Sequence, residues 1–206
     1  KQRKASGNPV PVWRKLQMSV DIATGMAHLA AHNFIHRDLA ARNVLVDSSD
    51  TCKVADFGLS RGASVSQQDA QGEEVAYYRS HGGAFPVRWT APEAMETMRF
   101  AEATDVWSFG IVQLELYTDA AKPYEDMGNA QVITKVLAGY RHPKPAGCPV
   151  AVYVVMLKCW SKDETDRPMF AELIGLLEAV ISASPKHQPP VENHSPSGGA
   201  LANQMY

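Results

Sequence analysis

The sequence is short of cysteine, carries no large charge of either sign, and contains no long apolar run. Its three cysteines, Cys52, Cys148 and Cys159, stand far apart in 206 residues. That spacing makes neither a disulfide framework nor a zinc-ligand pattern, and it suits a reducing compartment. The formal net charge is −2 and the pI about 6.4, so bulk electrostatics call for no nucleic-acid partner. No apolar stretch approaches the ~18 residues that mark a membrane span. The basic start Lys1-Gln2-Arg3-Lys4 is followed by no apolar run, which argues against a signal peptide. Position 1 is not Met, and the chain reads as a piece of something longer. No Gly-x-Gly occurs anywhere, although 14 glycines are present. What remains is an ordinary soluble composition, 45% hydrophobic and 20% charged, long enough to bury a substantial core.

The patterning predicts a mainly α domain with one small β-hairpin. Residues 1–12 are polar, contain Gly7, Pro9 and Pro11, and read as a linker. From Trp13 to about Ala31 the residues Leu16, Val20, Ala23 and Ala27 recur at helical spacing. Val44-Leu45-Val46 and Cys52-Lys53-Val54-Ala55, separated by the polar turn Asp47-Ser48-Ser49-Asp50, predict the hairpin. Residues 59–85 show no period and read as a long functional or disordered loop. Asp105 to Thr118 is apolar almost all round, which predicts a centrally buried helix. Further helices are expected from an Asn129 cap to Gly139, over Val150–Trp160, and from Pro168 through Ile181. From Ser184 to Tyr206 the Pro-, Ser- and Gly-rich composition reads as a flexible tail.

The chemistry sits in the loops. His36-Arg37-Asp38-Leu39-Ala40-Ala41-Arg42-Asn43 lies between the first helix and the hairpin, and Asp56-Phe57-Gly58 directly follows the second strand. The hairpin therefore brings Asn43 and Asp56 near each other across its base. The loop matches the pattern His-Arg-Asp-Leu-x-x-x-Asn at every specified position. Pro86-Val87-Arg88-Trp89, Ala91-Pro92-Glu93, Asp105-Val106-Trp107-Ser108-Phe109-Gly110 and Cys159-Trp160 through Arg167-Pro168 then follow in order. On these motifs residues 13–183 resemble the large C-terminal lobe of a protein kinase of the tyrosine-specific group.

The resemblance implies a transferase that moves the ATP γ-phosphate to tyrosine hydroxyls of proteins. It implies that Asn43 and Asp56 hold Mg²⁺ and thereby ATP, since Mg²⁺ takes hard oxygen ligands and usually only one or two from protein. Asp38 would take the proton of the incoming hydroxyl or orient that hydroxyl. Arg42, four residues after Asp38, marks the tyrosine type and would donate to the transferring phosphate or the substrate hydroxyl. Pro86, Val87, Arg88 and Trp89 resemble the substrate platform, with Pro86 against the phenol ring. Tyr77 and Tyr78 resemble autophosphorylation sites, whose phosphates could pair with Arg37 and order the loop. The segment around Ser64–Glu74 is longer than the family pattern.

Bland readings apply to several of these residues. His36, Phe57 and Gly58 are expected to set loop geometry rather than perform chemistry. Asp105 is either a helix cap or, by resemblance, the holder of the catalytic-loop backbone. Glu93 and Arg167 are expected to form a buried ion pair. His28, His32, His81 and His142 show no metal-ligand spacing. The glycine-rich flap and strand lysine of a small lobe are missing from these residues; Val132-Ile133-Thr134-Lys135 resembles the lysine motif by letter but falls in a predicted helix. ATP and Mg²⁺ would thus be bound fully only with a small lobe present, and the 206 residues alone are expected to be inactive. The alternative is a pseudokinase or truncated scaffold acting by protein–protein binding. The expected location is the cytoplasm or the cytoplasmic side of a membrane receptor.

Overall fold

Leu16, Ser19, Ile22, Ala23 and Met26 lie on one face of a long helix and are all buried, which explains why the chain is helical from its first described turn. The computed structural model describes residues 9–56 and 85–184 in full, and the backbone of 61–62, 65–68 and 74–79. Helix α1 spans Val12–Ala31, and the carbonyl of Pro11 accepts the first hydrogen bonds, from Arg14 N at 3.0 Å and Lys15 N at 3.1 Å. It packs on α6 (Phe170–Ser182) and on strand β3 (Cys52–Val54). Gly25 permits that approach: a Cβ there would stand 3.2 Å from Val54 Cγ2.

Helix α3, Glu102–Tyr117, is buried on all sides through Val106, Trp107, Phe109, Ile111, Val112 and Leu114. It begins three residues before the expected Asp105. Glu102, Ala103 and Thr104 add no large apolar side chain to the period. They are held by polar bonds instead: Ala101 N donates to Thr104 Oγ1 at 3.1 Å, and Phe170 N donates to Glu102 Oε1 at 2.9 Å. Asp105 is therefore one turn inside the helix and is not its cap. Ser19 Oγ donates to Gln113 Oε1 at 2.6 Å, a buried tie between α1 and α3. Phe109 meets Phe170 edge-on at 5.8 Å, joining α3 to α6.

The short helix α2, Pro92–Thr97, was not legible as a period, and it opens on a proline at its first position. Helix α4 spans Asn129–Leu137, with Gly128 rather than Asn129 at its cap, because Gln131 Oε1 reaches back to accept the Gly128 N–H at 3.0 Å. It ends at Leu137, two residues short of the expected Gly139, whose φ of +94° lets Tyr140 N bond Lys135 O at 2.9 Å and Gly139 N bond Val136 O at 3.0 Å. Helix α5 spans Val150–Cys159. Pro168 precedes α6 by two positions; the entry is closed by Met169 N donating to Glu172 Oε2 at 2.8 Å.

Strands are few and short. β1 (Phe34–Ile35) pairs with β4 (Arg61–Gly62), and β2 (Val44–Val46) pairs with β3 in the expected hairpin, Val44 opposite Val54. β5 (Val65–Gln68) pairs with β6 (Glu74–Arg79), which also pairs with β7 (Arg99–Phe100). Thus part of the segment expected as an aperiodic loop has strand backbone. Neither Val65–Gln68 nor Glu74–Arg79 alternates apolar with polar residues, the pattern by which those strands could be recognised. The architecture is mainly α, a helical bundle carrying a small hairpin.

Candidate active site

The loop at 36–43 leaves β1 and is tied down by Asp105 of α3. Asp105 Oδ2 accepts His36 N at 2.7 Å and its Oδ1 accepts Arg37 N at 2.9 Å. These two bonds hold Arg37 at a φ of +69°, a left-handed conformation uncommon outside glycine. Burial pushes the Asp105 carboxyl up to about 7, against the pull of the two N–H donors. His36 is fully buried, and that burial lowers its pKa, so the ring is neutral near pH 7. Its tautomer follows from its neighbours: Nδ1 accepts Asp38 N at 3.3 Å, and Nε2 donates to Ala55 O at 3.2 Å. His36 is thus a brace between the catalytic loop and the end of β3.

The short 3₁₀ turn Ala41–Asn43 aims its side chains at Asp38. Asn43 Nδ2 donates to Asp38 O at 2.7 Å and to Asp38 Oδ2 at 2.9 Å, while the Arg42 guanidinium pairs with Asp38 Oδ1. Both carboxylate oxygens of Asp38 are therefore oriented, and the side chain keeps 17% of its exposure. Ala55 N donates to Asn43 O at 2.8 Å, closing the hairpin base next to Asp56. Asp56 itself is exposed and has a φ of +63°.

The segment 86–89 lies alongside. The Arg42 guanidinium stacks over the Trp89 ring, 4.4 Å from its centroid. Pro86 and Val87 remain partly exposed, but Arg88 turns inward and is buried. It donates to the carbonyls of Pro123 at 2.7 Å, Tyr124 at 2.6 Å and Met127 at 2.5 Å. Arg88 therefore anchors the 86–89 segment to the connection between α3 and α4, and only its neighbours face outward. Glu93 and Arg167 form a two-pronged pair at 2.6 and 2.8 Å. Tyr77 and Tyr78 lie on β6, their backbones opposite Val65 and Phe100. Their side chains, together with Phe57 and Gly58, lie outside the described residues.

One site residue escaped the motif reading. Glu115 of α3 is buried, and its Oε2 accepts both Ala41 N at 2.9 Å and Trp89 Nε1 at 3.0 Å. The available signal was a carboxylate following the apolar run of α3, since a buried charge demands partners.

A family model described as protein tyrosine and serine/threonine kinase matches residues 3–177. Ephrin type-A receptor 7 of Gallus gallus is 48% identical over 160 residues, covering 78% of this chain and 15% of the receptor. Ephrin type-A receptor 4-B of Xenopus laevis is 46% identical over 160 residues, covering 78% of this chain and 16% of the receptor. The chain belongs to the protein kinase family, in its tyrosine-specific group. It spans about a sixth of the length of these relatives. The fold described above is the large lobe of a kinase catalytic domain.

Kinases of this family use ATP and Mg²⁺. The donor set suits that ion. Asn43 commits its amide nitrogen to Asp38, so its side-chain oxygen would be the atom to meet a hard cation, and Asp56, just past the hairpin base, would offer a carboxylate. Among the described residues no helix is long and apolar enough to cross a membrane.

Proposed function

We propose that the protein of which these residues form part is a tyrosine kinase that transfers the ATP γ-phosphate to tyrosine side chains of proteins. The observation that carries this reading is Asp38, with one oxygen bonded to Asn43 and the other to Arg42, beside the Trp89 shelf. In it Asp38 accepts or orients the tyrosine hydroxyl, Arg42 stabilises charge on the transferring group, and Pro86 packs on the phenol. Asn43 and Asp56 would hold Mg²⁺, which neutralises phosphate charge when bound.

Substrates in this reading are tyrosine-containing proteins, and Tyr77 and Tyr78 are themselves acceptors. The ATP requirement and the free, buried Cys52, Cys148 and Cys159 support a cytoplasmic location, including the cytoplasmic side of a membrane receptor. The test is ATP-dependent phosphorylation of a tyrosine peptide by the full-length protein. Transfer supports the enzyme; no transfer, with partner binding retained, supports a scaffold.

We also infer that these 206 residues alone transfer no phosphate at a useful rate. They contain no Gly-x-Gly flap, and positioning of both reactants supplies on the order of 7–11 kcal/mol of barrier reduction. Tyrosine phosphorylation by the purified 206-residue chain would overturn this.

A further inference from the structure

Glu115 joins two segments that carry different parts of the site. The loop contributes Ala41, first residue of the turn that aims Arg42 and Asn43 at Asp38. The shelf contributes Trp89, 48 positions further along the chain by residue number. A single oxygen, Glu115 Oε2, accepts an N–H from each, at 2.9 and 3.0 Å. The atom belongs to α3, the most buried helix described, so both segments are referred to one rigid element. Trp89 then supports Arg42 by stacking, and Arg42 meets Asp38. A buried carboxylate is unfavourable without such donors, and an apolar side chain would suit the helix interior better, so the placement demands a use.

We propose that Glu115 is a positioning residue for phosphoryl acceptance: its one oxygen sets the catalytic loop against the acceptor shelf and, through Trp89, holds Arg42 on Asp38. The inference rests on the tyrosine-kinase reading. Glu115 makes no hydrogen bond to Asn43 or Asp56 among the described contacts, and Asn43 is held from the other side by Asp38 and Ala55. Its loss should therefore disturb acceptor turnover while sparing the nucleotide side.

The experiment is steady-state kinetics of the full-length protein with ATP and a tyrosine peptide, for Trp89→Phe, Glu115→Ala and the double variant. Trp89→Phe keeps a ring and deletes the N–H; its peptide kcat should fall about threefold to fivefold, the effect of one hydrogen bond. Glu115→Ala should lower kcat about tenfold or more, with KM for ATP within about twofold of wild type. The double variant should be little worse than Glu115→Ala, because the indole N–H already lacks its acceptor. If Glu115→Ala does not fold, Glu115→Met, which fills the volume and removes the acceptor, takes its place, with the same sub-additive cycle expected. Effects that multiply, or a KM for ATP that rises in step with the loss of kcat, would overturn the proposal. A wild-type protein that transfers nothing to tyrosine sinks the functional reading instead, before any variant is compared.

Discussion

Asp38 is the residue on which the chemical reading turns, and the structure gives it a polarised setting. One oxygen accepts from an amide nitrogen and the other from a guanidinium, so the isosteric amide keeps the shape but loses the charge and sets an NH₂ against one of those donors. In the full-length protein Asp38→Asn is expected to lower tyrosine-peptide turnover about 10²–10⁴-fold, the range of a lost general base. ATP binding, read by fluorescence titration or calorimetry, should persist. Retained turnover would remove Asp38 from this role. That Asp38, Asn43 and Arg42 meet was legible because they share one short loop. The placement of Arg88 was not: its letters resemble a platform residue, yet three carbonyls of a distant connection draw it inward.

At the scale of elements, close packing and a buried aromatic cluster set two expectations. Gly110 lies where α3 meets the end of α5, and a Cβ there would fall 2.4 Å from Trp160 Nε1 and 3.0 Å from Cys159 Cβ. Gly110→Ala is expected to destabilise the chain by about 1–3 kcal/mol, the range for overpacking, seen as a lower urea midpoint. His142, in the connection between α4 and α5, packs among Tyr124 at 4.3 Å, Tyr140 at 5.9 Å and Trp160 at 6.5 Å. Its Nε2 is buried without a hydrogen-bond partner among the described residues. Burial lowers its pKa from 6.5 to about 4. Between those values the unfolded chain binds a proton that the folded chain does not, so stability falls as pH falls from about 6.5 to about 4. His142→Phe should flatten that acid limb in melts recorded across the interval. An unchanged limb would assign the acid sensitivity elsewhere. Helix positions were legible from apolar spacing, whereas starts defined by polar bonds, as at Glu102 and Gly128, were not.

For the whole molecule, Arg167 is a central fastener. Its side chain is completely buried, and it bonds Glu93 of α2, Ala103 O at 3.0 Å in α3 and Ser161 O at 3.1 Å after α5. Glu93→Ala leaves that guanidinium without its counter-ion and is expected to cost about 3 kcal/mol, the lower part of the range for breaking a buried pair. The lower part applies because Glu93 keeps 23% of its exposure. Thermal melts of the single and the Glu93→Ala/Arg167→Met double variant check this, since the double should recover part of the loss.

The sequence by itself determined the kinase family and the main helices. Both depend on short-range order: motif letters at fixed spacing, and apolar residues on one helical face. Only the tertiary structure decided which buried acid holds which loop. Asp105 reaches His36 across 69 residues and Glu115 reaches Ala41 across 74. Such bonds form because α3, apolar on nearly every side, is driven to the centre of the bundle and carries Asp105 and Glu115 to the backs of loops that share no local pattern with it.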